Sequence, residues 1–263
     1  MTNGPTGRFG LPRRDENGSG PPRPPGDGGS GGGDEGSDEP QEDITLSIKG
    51  VRARESPDAE GEVEVELDTT RGTIIFDMTV AEGSTGVAVF LGGAGGGNRG
   101  PADDVFVRTS HMLVPKGVSS VRVRYREAGE WEECLADALA ACSFLKGVGA
   151  QQVVLIGHSF GGAVAIKAGE MSSIATAVCS LSTQRFGTFE VERLGKPLLL
   201  IHGSRDEVLD KAASEDVFER AVDPKRLVIL PGGSHSLREH PQEVYDLLMD
   251  FVVANTARPA ADA

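Results

Sequence analysis

The stretch Val153-Val154-Leu155-Ile156-Gly157-His158-Ser159-Phe160-Gly161-Gly162-Ala163-Val164-Ala165-Ile166 predicts a strand, a sharp turn and a helix in immediate succession. The apolar run at 153–156 reads as a buried strand, and the small and apolar run at 163–166 reads as helix. Between them stands Gly-x-Ser-x-Gly, the pattern of a serine held on a strained strand-to-helix turn. The reason is steric. Such a turn brings the positions two residues either side of the serine into collision, and Gly157 and Gly161 remove the side chains that would clash. The hydroxyl then projects from the carboxyl end of a sheet, and the following helix offers its first amides to a developing negative charge. A glycine-rich turn with an incidental serine is the bland alternative, and the flanking strand and helix argue against it.

Outward from this stretch, short continuous apolar runs recur at 87–91, 121–125, 177–181, 197–202 and 226–230. Continuous runs suit strands covered on both faces, as in parallel sheets. Helical segments separate them: Trp131, Leu135, Ala138, Leu139, Cys142 and Leu145 fall on one stripe within 129–146, ahead of Gly147. Val244, Leu247, Leu248 and Phe251 form a similar stripe in the last helix. Further upstream the period changes to two. Val63, Val65 and Leu67 alternate with Glu62, Glu64 and Glu66, as expected of a strand with one wet face. Thr69-Thr70-Arg71-Gly72 turns the chain, and Ile74, Phe76, Met78 and Val80 alternate again. The expected fold is α/β: a mostly parallel, doubly wound sheet with an antiparallel N-terminal hairpin at its edge.

A serine hydroxyl needs a neighbouring base to act as a nucleophile. Among the five histidines, His158 lies in the turn and is expected to point into the sheet's packing. His202 ends a strand beside Gly203, where a structural hydrogen bond is expected, and His111 and His240 fall in predicted helices. His235, in the loop Gly232-Gly233-Ser234-His235-Ser236 after the last strand, is the candidate general base. The acid that orients it should sit past the end of Leu198-Leu199-Leu200-Ile201-His202-Gly203-Ser204-Arg205-Asp206-Glu207-Val208. Asp206 is preferred there, with Val208 anchoring the loop on its far side, and Glu207 is the substitute. The order Ser…Asp…His, each at a strand end, is the order found in one large group of serine enzymes. For an oxyanion, Phe160 supplies one backbone N–H, and the second is assigned to Ala94, with Gly93 as alternative, in Leu91-Gly92-Gly93-Ala94-Gly95-Gly96-Gly97. Gly95, Gly97 and Gly100 also satisfy G-x-G-x-x-G. In so glycine-rich a stretch that match is weak, and G-x-x-x-x-G-K-[ST] is absent, so a nucleotide cradle is the lesser reading.

On these residues the chain resembles the α/β-hydrolase superfamily, in its lidless dienelactone-hydrolase-like and small serine-hydrolase branches, over roughly 61–254. The motifs are Gly157-His158-Ser159-Phe160-Gly161-Gly162, His202-Gly203-Ser204-Arg205-Asp206-Glu207-Val208 and Pro231-Gly232-Gly233-Ser234-His235. The resemblance implies nucleophile Ser159, acid Asp206 and base His235, with no metal or cofactor. Relatives often have His-Gly where this chain has Gly92-Gly93, and Asp-x-Arg-Gly-x-Gly where it has Tyr125-Arg126-Glu127-Ala128-Gly129. A dienelactone hydrolase proper has a cysteine nucleophile, so serine points away from that substrate. The stretch between the strands at 177–181 and 197–202 is too short for an inserted lid, so an open site is expected. Arg126 and Glu127 would line its rim or simply face water. The implied activity is cleavage of a small ester or related acyl bond. A serine peptidase, an acyltransferase or a non-catalytic scaffold of the same fold are the other readings.

Residues 1–43 are rich in Gly and Pro and nearly free of large apolar side chains, and are expected to be disordered, ahead of one domain over 44–263. The formal net charge of −14 argues against nucleic acid or anionic membranes as partners. A small-molecule ester-type substrate is the expected partner. With no long apolar run, no apolar leader segment and three cysteines taken as reduced thiols, a cytoplasmic location is expected.

Overall fold

The computed structural model describes residues 46–57 and 59–256, so the expectation for 1–43 lies outside the described residues. Nine strands form one sheet: β1 (Ile48–Glu55), β2 (Glu62–Thr69), β3 (Gly72–Thr79), β4 (Gly86–Leu91), β5 (Val118–Arg124), β6 (Gln152–His158), β7 (Ala175–Leu181), β8 (Leu198–Gly203) and β9 (Lys225–Leu230). Their order is β1-β2-β3-β5-β4-β6-β7-β8-β9. The first three strands and β5 pair antiparallel, and everything from β5 to β9 is parallel. The helices are α1 (Pro101–Leu113), α2 (Trp131–Gly147), α3 (Phe160–Met171), α4 (Ala212–Arg220) and α5 (Pro241–Thr256).

The continuous apolar runs are explained by what each face meets. Along β4, Val89 and Leu91 join one buried cluster with Leu135 and Leu139 of α2 and Val164 of α3. The intervening Ala88 and Phe90 join a second with Val105 and Phe106 of α1 and Val244, Leu248 and Val252 of α5. Strand β6 divides the same way, Val153 and Leu155 against Val154 and Ile156. Each fully buried side chain of this size contributes about 1.5–3 kcal/mol. Helix α2 carries more than the single stripe expected of it: every residue from Cys134 to Cys142 is buried. It packs on the sheet and on α3, and its far end reaches the hairpin, where Phe144 meets Phe76 of β3 at 5.9 Å. Its alanines let those neighbours approach.

The antiparallel edge departs from expectation in two ways. The glutamates of β2 do not line a wet face: Glu62 and Glu64 are only 3% and 4% exposed. Arg122 of β5 pairs with Glu62, whose other oxygen lies 3.3 Å from Nε2 of His111. Glu64 pairs with Arg54 and Arg124, and Arg124 also binds Asp77. Buried carboxylates persist only when paired in this way. Strand β1 itself had no clear periodic signal, because Gly50 and the exposed Val51 to Glu55 bury nothing that would impose one.

Candidate active site

Ser159 sits between the last residue of β6 and the first of α3 with φ at 57°, in the left-handed region. A non-glycine residue there is strained, and the packing around the turn has to hold it. The glycines show how tight that packing is. A Cβ on Gly157 would stand 1.9 Å from the Gly161 carbonyl oxygen, and one on Gly161 would stand 2.1 Å from that of Gly92. The second contact presses the turn against the loop that follows β4.

The loops after β8 and β9 touch at glycines too, since a Cβ on Gly203 would lie 2.2 Å from the Gly233 oxygen. Arg205 N–H donates to the Gly233 carbonyl at 2.9 Å and Gly232 N–H to Ser204 Oγ at 2.8 Å. The two loops so joined carry Asp206 and His235. His235 Nδ1 donates to Asp206 Oδ2 at 2.7 Å, which leaves Nε2 as the ring nitrogen not engaged by the acid. The other carboxylate oxygen, Oδ1, accepts the N–H groups of Val208 at 2.9 Å and Leu209 at 2.8 Å. Burial works against the charge on Asp206, but these two amides and the His235 ring outweigh it and hold the carboxyl below its ordinary range. Glu207, the alternative acid, is exposed. Val208 does not anchor the loop by burial, being 64% exposed; its backbone amide on Asp206 serves instead.

His202 is fully buried, as a structural residue should be. Its Nε2 faces the Leu209 carbonyl at 3.0 Å and Asp206 Oδ2 at 3.1 Å, and its Nδ1 lies 2.7 Å from Ser214 Oγ. Nε2 meets only acceptors and so donates to them. His240 precedes α5 rather than lying in it, and pairs with the Pro231 carbonyl and Glu243. His158 is the larger correction. Instead of entering the sheet's packing, its Nε2 donates to the His235 carbonyl at 3.0 Å, with the two rings 4.9 Å apart. Burial pushes its pKa down to about 4, so the ring is neutral at ordinary pH. Ser182 Oγ donates to the same carbonyl at 3.1 Å from a residue whose φ is 47°. Sequence reasoning missed both contacts. The adjacency of His158 to Ser159 was a usable clue; Ser182 offered none.

The loop after β4 folds back on itself, Gly96 N–H bonding the Gly93 carbonyl at 2.9 Å. A Cβ on Gly93 would lie 3.8 Å from Ser159 Cβ, while Ala94 is exposed and turns its carbonyl under Gly129. The G-x-G-x-x-G pattern has a packing explanation, because any Cβ on Gly100 would strike the Phe106 ring at 2.5 Å. Next to Gly93 opens a groove of about 400 Å³, lined among others by Asn98, Phe106, His158 and Ser236. Arg126 does not line a rim. It is buried in an ion pair with Asp137, 2.6 Å from Nε to Oδ1, and with Glu133. Cys134, Cys142 and Cys179 are buried and free, and burial raises all three thiols, Cys134 to about 12 and Cys142 to about 11.

The mixed sheet, with the turn at Ser159 and the loops around it, has the α/β-hydrolase fold, which several solved structures share. A dienelactone hydrolase from Anabaena variabilis superposes with a TM-score of 0.66 at 21% identity, over 74% of this chain and 98% of that one. Est1E from Butyrivibrio proteoclasticus gives 0.64 at 18%, over 74% and 99%. A serine hydrolase without a lid from Xanthomonas campestris gives 0.61 at 19%, over 76% and 98%. In sequence, residues 169–242 match the family model described as serine aminopeptidase, S33, a span that holds Asp206 and His235 and begins after Ser159. The uncharacterized protein YfhR of Escherichia coli K12 is 38% identical over 61 residues, 22% of each chain. The O157:H7 form is 27% identical over 134 residues, 41% of this chain and 47% of its own, so the chain spans less than half of these curated relatives. Among the described residues, no helix is long and apolar enough to cross a membrane.

Proposed function

We propose that the chain is a serine hydrolase that cleaves small esters or related acyl bonds through an acyl-enzyme. Ser159 Oγ attacks the carbonyl carbon while His235 Nε2 takes its proton. The same proton then passes to the leaving alcohol, and water, deprotonated by His235, releases the acid. Asp206 fixes the tautomer that this requires and stabilises the imidazolium. The Phe160 N–H would receive the oxyanion. For the second donor, the approach of Gly93 to Ser159 favours that residue over Ala94. The observation that carries the reading is the strained Ser159, kept at φ 57° at the sheet edge that also bears the Asp206–His235 pair. The partial match to a serine aminopeptidase model supports a peptidase variant of the same chemistry.

A fluorophosphonate probe tests this without knowledge of the substrate, since it needs an activated hydroxyl and oxyanion donors. The wild type should be labelled on the peptide containing Ser159, Ser159→Ala should not, and His235→Ala should be labelled far more slowly. A folded wild type that stays unlabelled would leave the fold as a scaffold. Label persisting in Ser159→Ala would move the nucleophile elsewhere.

A further inference from the structure

Phe186 and Phe189 are 44% and 68% exposed, yet they are ordered parts of a four-ring cluster that starts at the nucleophile. Phe160, the residue after Ser159, meets Trp131 edge-on at 5.8 Å and 88°. Trp131 meets Phe186 at 5.2 Å and 76°, and Phe186 meets Phe189 at 6.3 Å and 90°. The rings thus run in edge-to-face steps from the residue after Ser159 out to solvent, carried by the first residues of α3 and α2 and by the loop after β7.

The arrangement is built rather than incidental. Gly187 has φ at 83°, and a Cβ there would stand 2.0 Å from the Trp131 indole, so the loop after β7 lies directly on that ring. The same loop is tied down by Thr188, whose Oγ1 donates to the Arg185 carbonyl at 2.7 Å and whose carbonyl accepts from Arg220 of α4 at 2.7 Å. A preformed loop that leaves about half or more of two phenyl rings in water forgoes the burial of that apolar area. Edge-to-face stacking leaves the terminal rings with open faces and edges, and a further aromatic ring gains about 0.5–1.5 kcal/mol there beyond the area it buries. An aliphatic group gains the area alone.

We propose that Trp131, Phe186 and Phe189, backed by the buried Phe160, form a shelf for an aromatic ring carried by the substrate. This rests on the serine-hydrolase reading and narrows it to short esters bearing an aryl or arylalkyl group on one side of the ester bond. The shelf would be a specificity element, holding the ring while the ester bond lies over Ser159.

Trp131 is the only tryptophan in the chain, so its fluorescence reports the shelf directly. Full-length Ser159→Ala would be titrated with benzyl acetate and ethyl phenylacetate, and with cyclohexylmethyl acetate as a saturated match in size. At least one aromatic ester should give a saturable change with a Kd at least about threefold below that of the cyclohexyl ester, the ratio expected from one edge-to-face contact. Phe186→Ala/Phe189→Ala, in the same background, should erase that difference, and its melting curve would show that it is folded. Three outcomes overturn the shelf: no saturable change, equal affinity for cyclohexyl and aromatic esters, or a preference that survives the double substitution. Emission that shifts with protein concentration alone would overturn it as well, by showing a second copy on the rings. Because the titration needs no turnover, shelf binding together with an unlabelled wild-type serine would sink the hydrolase reading and leave the shelf standing.

Discussion

At the residue scale, the loop around His235 is held at three points. Asp206 takes the ring through Nδ1, while His158 and Ser182 take the backbone carbonyl. The side chain and the main chain of His235 are therefore fixed by different groups, and substitutions should separate their effects. Asp206→Asn preserves the shape of the loop but offers the wrong partner to Nδ1, and should lower kcat by up to about four orders of magnitude with a smaller change in KM. Steady-state kinetics on a p-nitrophenyl ester reads this, and near-normal kcat would assign the role to another acid. His158 has a signature in stability. Unfolded, its ring takes a proton near 6.5; folded, it resists until about 4. Between those values the unfolded chain binds more protons, so the stability this residue contributes is complete above 6.5 and is lost as pH falls toward 4. His158→Gln keeps a donor for the His235 carbonyl but does not titrate. The wild type should therefore lose Tm relative to this variant as pH falls from 7 to 4.5, measured by thermal melts. A difference constant with pH would contradict the buried, neutral ring.

At the scale of elements, the short connection at 182–197 decides much of the site's character. It holds a single turn of 3-10 helix (Val191–Arg193) and offers nothing to close over a long acyl chain. Apolar burial at about 0.8 kcal/mol per methylene is what would select long chains, and an open rim does not supply it. In a p-nitrophenyl series from acetate to palmitate, kcat/KM should be highest among the short members; a rise through the long ones would mean that some other part of the chain covers the site. The parallel strands were legible because both their faces are buried and their runs are continuous, as at 87–91 and 153–157. The placement of Ser159, Asp206 and His235 past the ends of β6, β8 and β9 was legible because each follows an apolar run with glycines nearby. What escaped were contacts that depend on tertiary geometry: the His158 and Ser182 bonds to one carbonyl, and the burial of Arg126, whose partner Asp137 lies on the next helix. A charged residue at a strand end reads as rim until the helix that pairs with it is in place.

At the scale of the whole molecule, the antiparallel arm is joined to the parallel sheet by charge as well as by hydrophobic contact. Arg122 is 4% exposed and Glu62 is 3% exposed, and they bridge β5 and β2 across the intervening β3. Arg122→Ala would leave Glu62 buried without its ion-pair partner on β5, a loss of about 3–5 kcal/mol. For a domain of this size each kcal/mol is worth about 2–4 °C of Tm. Replacing both partners, as in Glu62→Leu/Arg122→Met, should recover most of the loss in calorimetry. A double variant as unstable as the single one would show that the arm needs the charges themselves. Alternation of Glu62, Glu64 and Glu66 with valine and leucine could not disclose this pairing, since the same alternation describes a solvated strand.

Among the described residues the sheet does not close on itself, and its two outermost strands are β1 and β9. An open edge offers unpaired backbone groups to any strand that approaches, including the same strand of another copy. Here β1 carries Lys49, Arg52 and Arg54, and β9 carries Lys225 and Arg226. Two copies meeting edge to edge would have to desolvate these charges, of which Arg52 and Arg54 are paired with acids of β2, and Val51, 48% exposed, stands between Gly50 and Arg52. The register of β1 also slips between Ile48 and Gly50, which breaks the straight template that fibrous stacking needs. In a protein of net charge −14, confining these cations to the rims protects the molecule against self-association at the place where a sheet is most exposed to it.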